Sequence, residues 1–426
     1  MASRISRRRV LGAGAAWGSL ALTSCASMDQ PTTGRVVVIG GGYGGATLAK
    51  YLRMWSDGTV DVTLIERHER FVSCPMSNLV LTGDRSLDEL TWSYGRLTQC
   101  WGVKRIRAEV IAIDHDRKQV RLEDGTRVPY DRVVVSPGVD MQYELVPALV
   151  DSDARQRVVH AWKAGPQTLA LRRQMEAMPD GGVFAITIPK APYRCPPGPY
   201  ERACLVASYF KRHKPKSKVL VLDANPEIVS KKILFETVFR EHYAGMIEYR
   251  PNNELRDVDV KTMTALLDFD NVKADVLNVI PPQRAADVAK NAGLISVNDR
   301  WVGVDWLTME SEKVKGVHVL GDAVFPAAAM PKSGHMANQH AKLAAASILA
   351  QLSDTPVNPR PLVMNTCYSY VNRDEAIHVA SVHRYDIEKK TLLPVNGSGG
   401  VSAAPSALEG RYAWAWAQNI WADMLA

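Results

Sequence analysis

Residues 35–39 read Arg-Val-Val-Val-Ile, an apolar β-branched run without polar alternation. A strand buried on both faces of a parallel sheet shows that pattern. It breaks into Gly40-Gly41-Gly42-Tyr43-Gly44-Gly45, after which Ala46, Leu48, Ala49 and Leu52 predict a helix. A second strand is predicted over Val60–Ile65 and ends in Glu66. Further strands are predicted at Val133–Val135, Gly182–Ile188, Val219–Leu222 and Val317–Leu320. This organisation predicts an α/β fold with two dinucleotide-binding-type domains. It stops near Pro356, where Tyr368, Tyr370, Val371 and Ile377 predict a small appended α+β domain. Gly397–Pro405 reads as a small-residue loop, and Tyr412–Trp421 is rich in tryptophan.

Hydrophobic residues make up 46% of the 426 and charged residues 23%. Those values exclude a disordered chain and a polytopic membrane protein. The formal net charge is +7, but Arg4, Arg7, Arg8 and Arg9 against Asp29 put +3 of it in the first 33 residues. The remaining charge is too dispersed to suggest nucleic acid. Those residues read as an export signal and tether. Ser6-Arg7-Arg8 with Val10 and Leu11 fits the twin-arginine type, and the apolar run Ala13–Thr23 is too short to span a membrane. The expected location is the periplasm. Leu22-Thr23-Ser24-Cys25 resembles a lipoprotein box, so lipidation of Cys25 and simple cleavage nearby both stay open.

Gly40, Gly42 and Gly45 fill the G-x-G-x-x-G pattern. The first glycine makes the turn, the second admits a pyrophosphate, and the third lets helix pack on strand. The helix dipole favours the phosphate charge. Glu66 is placed to accept hydrogen bonds from both ribose hydroxyls. Val133–Val135 leads into Ser136-Pro137-Gly138, and Val317–Leu320 into Gly321-Asp322. This layout resembles the flavoprotein family with two dinucleotide domains that includes the disulfide reductases. The resemblance implies FAD, with Asp322 at the ribityl and phosphate region; taken alone, Asp322 also fits a helix cap. A second glycine turn is missing. The strand ending at Ile188 runs into Pro189-Lys190-Ala191-Pro192-Tyr193-Arg194-Cys195-Pro196-Pro197-Gly198-Pro199. Prolines lack N–H donors and cannot cradle a pyrophosphate. A nicotinamide cofactor is not expected, and Asp223 reads as a turn residue at a strand end.

Cys74 lies in Phe71-Val72-Ser73-Cys74-Pro75-Met76-Ser77-Asn78, and Cys367 in Asn365-Thr366-Cys367-Tyr368-Ser369. With the glycine turn, Tyr193–Arg202, Lys211–Val219, Ile280–Ala285 and Met330–Gly334, these segments resemble the flavoprotein subunits of flavocytochrome c sulfide dehydrogenases. The resemblance runs from about Gly34 to the C-terminus. It implies a thioether from Cys74 to FAD, with Pro75-Met76 a departure from the pattern. It implies a redox disulfide of Cys195 and Cys367 beside the flavin, and Glu201 as a proton acceptor. It divides the chain into a signal and tether (1–33), an FAD-binding domain (34–150 and 281–355), a second Rossmann-like domain (151–280) and a C-terminal domain (356–426). Read without it, Cys74 fits a buried thiol, Cys195 and Cys367 a structural cross-link, and Cys204 a rival partner for Cys195. Cys100 and Cys204 are expected to be core thiols.

Hydrosulfide opening that disulfide would leave a persulfide on one cysteine, Cys195 in the first instance, and a thiolate at the ring on the other. The reverse assignment stays open. Lys332 is expected near the flavin's pyrimidine end, with a solvated lysine as the plain alternative. No metal site is expected. No Cys-x-x-Cys-His occurs, so a c-type haem would come from a separate cytochrome subunit. The tryptophan-rich end is expected to pack on the core or over the flavin pocket. Two other functions remain: a membrane-associated sulfide–quinone enzyme, and a non-catalytic flavoprotein that activates a thiosulfate-oxidising partner.

Overall fold

The glycine-rich turn emerges from the centre of a sheet. The structure, a computed structural model, describes residues 33–426; the export-signal reading and Cys25 fall outside the described residues. Gly34–Ile39 pairs in parallel with Val60–Ile65 on one side and Arg132–Val135 on the other. Lys104–Ile106 and Val317–Val319 extend the parallel array, and two short antiparallel strands complete seven. Val36–Val38 and Val133–Val135 are buried, as the unbroken apolar runs require. The carboxyl ends of these strands open at one edge, where ligands of open α/β sheets bind.

A second sheet of four parallel strands orders Ile247–Arg250, Lys218–Asp223, Val183–Ile188 and Val276–Val279. Helix Gly198–His213 follows its strand Val183–Ile188 and packs against the sheet through Phe210, Ala203 and Val206. The C-terminal region folds into an antiparallel sheet of Leu362–Tyr370, Ala376–Asp386 and Thr391–Pro394, closed by helix Ala407–Leu425. Gly397–Pro405 is not wholly loop: Gly400–Val401 pairs with the middle strand. The last helix carries Trp421 into the first core at 1% exposure. Among the described residues, no helix is long and apolar enough to cross a membrane.

Candidate active site

The first strand turns sharply at Gly40, whose φ is +96°. A Cβ there would lie 2.4 Å from the Ser136 carbonyl oxygen, and one on Gly45 would lie 1.8 Å from the Gly40 oxygen. A Cβ on Gly42 would meet nothing within 4 Å. The outer glycines thus close the turn, while Gly42 leaves its outside clear. Glu66 pins the turn from the next strand. Its two carboxylate oxygens accept the N–H groups of Gly41 and His68, each at 2.7 Å.

The turn opens on a cavity of about 960 Å³ that Glu66, Gly138, Gly321 and Asp322 also line. Asp322 does not cap a helix, because the 3₁₀ turn Gly321–Ala323 is preceded by Leu320. Its Oδ1 is shut from solvent without a hydrogen-bond partner. Burial raises its proton affinity, against the pull of Arg194 and Lys332. A buried acceptor without a donor, on the wall of a cavity with a glycine cradle, fits the hydroxyl-rich chain of FAD.

The same cavity reaches Cys74, Cys195, Cys367 and Glu201. Cys74 sits between the short strand Arg70–Val72 and helix Ser77–Leu81, and its sulfur faces the Ala164 N–H at 3.5 Å. Cys195 has a left-handed backbone, φ +59°. That conformation costs a non-glycine residue ~1–2 kcal/mol. It is held by the Cys195 N–H donating to the Lys332 carbonyl at 2.8 Å and by the Gly198 N–H donating to Cys195 at 2.9 Å. Cys367 lies on the strand Leu362–Tyr370, opposite Val379. Turn and strand face the same cavity, and no S–S bond joins the two sulfurs in this structure.

The other cysteines separate clearly. Cys204 is buried in the second core on helix Gly198–His213, away from the cavity wall. Cys100 is a correction, because it is exposed. Its short helix Gly95–Trp101 buries only Leu97.

Glu201 occupies the first turn of helix Gly198–His213. Its carboxylate accepts the Tyr370 N–H at 2.9 Å and the Asn78 side-chain N–H at 3.0 Å. Arg202 fixes the Asn78 amide by donating to its oxygen at 2.9 Å. Burial pushes the Glu201 carboxyl above its ordinary range, outweighing those hydrogen bonds, Lys231 and Arg202. Arg194 is a cavity-lining guanidinium beside Cys74, Asp322 and Cys195.

Lys332 is buried rather than solvated, and its side chain is not part of the cavity wall. Its ammonium donates to the carbonyls of Asp322 (2.9 Å) and Val324 and lies 3.7 Å from the Trp301 ring centre. Burial lowers it to about 7. The cation is turned away from the cavity because two carbonyls and an aromatic face compete for it. Ser333, not Lys332, caps the helix Gly334–Leu352.

Asp223 is occupied where a second ribose would need it. It accepts the hydroxyls of Tyr200 at 2.6 Å and Tyr249 at 3.1 Å. From the C-terminal helix, Trp416 lines the cavity, and Trp421 donates to the Tyr43 hydroxyl at 3.0 Å. Sequence reasoning assigned no role to Asn78, Arg194, Arg202 or Lys231. Arg194 carried a signal, a cation beside a cysteine in a proline-rich turn. Lys231 carried none.

Three family profiles match separate parts of the chain. Residues 34–167 match the pyridine nucleotide-disulphide oxidoreductases. Residues 168–281 match the central region of the sulfide dehydrogenase (flavocytochrome c) flavoprotein chain, and residues 359–425 its flavin-binding region. Mitochondrial sulfide:quinone oxidoreductase of Mus musculus is 25% identical over 328 residues, 72% of this chain and 69% of that protein. A flavocytochrome c sulfide dehydrogenase flavoprotein chain of Chlorobaculum thiosulfatiphilum is 58% identical over 48 residues, 11% of this chain and 98% of that sequence. The sulfide:quinone oxidoreductase structure from Aquifex aeolicus superposes with a TM-score of 0.72 at 18% identity, covering 92% of this chain and 91% of that one.

Fold and cavity together define a flavoprotein of the pyridine nucleotide-disulphide oxidoreductase class. Within that class, the chain belongs to the family that carries the central and flavin-binding regions of flavocytochrome c sulfide dehydrogenase flavoprotein chains.

Proposed function

We propose that this chain oxidises sulfide through FAD and a redox pair of Cys195 and Cys367, and that electrons leave to a c-type cytochrome subunit. One observation carries the reading: both thiols and Glu201 line the cavity that also holds the glycine cradle and the partnerless Asp322 oxygen. Gly40, Gly42, Gly45, Glu66, Gly138, Gly321 and Asp322 would hold FAD, which supplies a two-electron oxidant beside the cysteines. Cys74 is the residue for a thioether. In the oxidised pair, hydrosulfide attacks one sulfur, the S–S bond breaks, and the other cysteine leaves as a thiolate. Glu201, with its raised proton affinity, takes a proton from the arriving sulfur. The proline-rich turn and the tied-up Asp223 argue against nicotinamide as the electron source. Export to the periplasm is supported by Ser6-Arg7-Arg8, with lipidation of Cys25 and simple cleavage near it both open.

A quinone acceptor is the second reading, favoured by the likeness to sulfide:quinone oxidoreductases. Anaerobic sulfide titration tests the chemistry. Flavin absorbance should bleach promptly in the native protein and fail to bleach in Cys195→Ser and in Cys367→Ser. Unchanged bleaching in either variant sinks the mechanism. Reoxidation by cytochrome c against a quinone analogue separates the acceptors. Acid precipitation tests Cys74: a yellow pellet supports the bond, and colour left in the supernatant excludes it.

A further inference from the structure

A buried cation sits against the strand that carries Cys367 without a carboxylate bound to it. Lys231 precedes helix Lys232–Glu241 in a left-handed conformation, φ +55°, and is 8% exposed. Its ammonium donates to the Cys367 carbonyl at 3.1 Å and to the Ser369 hydroxyl at 2.7 Å. Both partners are neutral, and among the described residues it joins no ion pair. A buried charge left in that state costs several kcal/mol unless an anion forms beside it.

The charged neighbours show where that anion belongs. Burial depresses Lys231, and Cys367 is the first group that offsets this, followed by Glu201, Cys195 and Glu409. Burial lifts the Cys367 thiol; Lys231 opposes it, and Glu201 adds to it. The Cys195 thiol is lifted by burial, then by Cys367 and Glu201, and Arg194 relieves it more than Lys231 does. The geometry agrees: the ammonium is hydrogen-bonded to Cys367 and to Ser369 on the same strand, and among the described residues no hydrogen bond joins it to Cys195.

We propose that Lys231 is a positioning residue that sets the polarity of the cysteine pair, holding Cys367 as the thiolate so that substrate sulfur is carried on Cys195. This deepens, and rests on, the redox-pair reading above. The step is balanced: hydrosulfide attacks the Cys195 sulfur, a new S–S bond forms there, and the proton it brings sits on the outer sulfur until Glu201 takes it. The Cys195–Cys367 bond breaks, and its electron pair leaves on Cys367 beside the ammonium. No net oxidation occurs in this step.

The test is alkylation of the reduced holoprotein with iodoacetamide across pH, scored by mass spectrometry of the two cysteine peptides. In the native protein, Cys367 should react at lower pH than Cys195. Lys231→Met should move the Cys367 profile upward by about one pH unit or more, a tenfold change in thiolate, and Lys231→Arg should restore it. A Cys195-first order, or a Cys367 profile unmoved in Lys231→Met, overturns the proposal. If Lys231→Met does not fold, native protein treated with sulfide decides. Extra sulfur trapped on the Cys195 peptide supports it, and on the Cys367 peptide overturns it. A pair that shows the alkylation order yet gives no bleaching with sulfide defeats the sulfide reading and leaves the polarity standing.

Discussion

Two strand–turn–helix units of similar topology have opposite chemistry. After Ile39 the turn is glycine, with Gly42 open on its outer side and the Glu66 carboxylate bracing it from the next strand. After Ile188 the turn is proline and aromatic, Cys195 replaces the open backbone, and the acid at the end of the neighbouring strand, Asp223, is held by two tyrosines. The comparison teaches that a parallel strand feeding a helix offers only a location. Backbone N–H groups make that location a phosphate site, and a side chain in a stiff turn makes it a reactive one.

The largest break is in the first unit. Gly45→Val would place a side chain where even a Cβ is 1.8 Å from the Gly40 oxygen, with backbone on the far side that cannot yield. The expected product is protein without flavin, or none soluble. It is checked by absorbance against the native protein at matched concentration. A fully yellow variant would mean the turn does not cradle the cofactor.

Breaking the second unit should leave the flavin in place and lower the rate. Glu201→Gln is expected to reduce sulfide-driven bleaching by ~10²–10⁴-fold, the usual span for a proton-transfer group. The pH profiles sharpen this. Burial holds the Glu201 carboxyl above its ordinary value, so the native rate should climb as pH rises through that elevated value. The glutamine variant should lose that limb. Stability runs the other way. A carboxyl raised on folding costs nothing below its unfolded pKa, and the cost grows as pH rises from there to the folded value. Glu201→Gln should therefore gain stability relative to the native protein over that window. Parallel pH–rate profiles for the two proteins would remove Glu201 from proton transfer.

The two units also differ in how far the sequence revealed them. The first was legible because glycines in a fixed pattern after an apolar run have few other uses, and the acid of Glu66 closes the pattern. The second was legible in its absences: prolines cannot donate, so phosphate was excluded. Cys195, Cys367 and Glu201 reach one cavity from a turn, a distant strand and a helix, and residue spacing carries no trace of that meeting; the family resemblance supplied it. Lys332 read either as a cation near the flavin's pyrimidine end or as a solvated lysine. The deciding fact was tertiary: Trp301 and two carbonyls draw its ammonium inward. Lys231 sits in a lysine pair, Lys231-Lys232, that reads as surface, yet Lys232 pairs with Glu227 outside while Lys231 turns in. Cys100 failed in the opposite direction, since a cysteine's preference for burial is a tendency and its short helix buries a single side chain.

The smallest effect concerns what steadies the glycine unit from outside. Trp421 donates to the Tyr43 hydroxyl at 3.0 Å; Tyr43 and Ser73 are 2.7 Å apart, and Ser73 donates to the Pro75 carbonyl at 2.8 Å. Because Ser73 spends its proton on Pro75, Tyr43 must donate to Ser73, and Trp421 supplies the donor that Tyr43 then accepts. This relay ties the C-terminal helix to the residue after Gly42 and to the turn that presents Cys74. Trp421→Phe removes the first donor and part of a ring packed 5.5 Å from Trp92. The lost hydrogen bond is worth ~1 kcal/mol and the lost packing about as much again. Denaturant unfolding of the holoprotein should show a loss of about 1–3 kcal/mol with flavin content unchanged. An unmoved midpoint would mean the helix merely covers the glycine unit, and that the cradle keeps its shape from the strand and Glu66 alone.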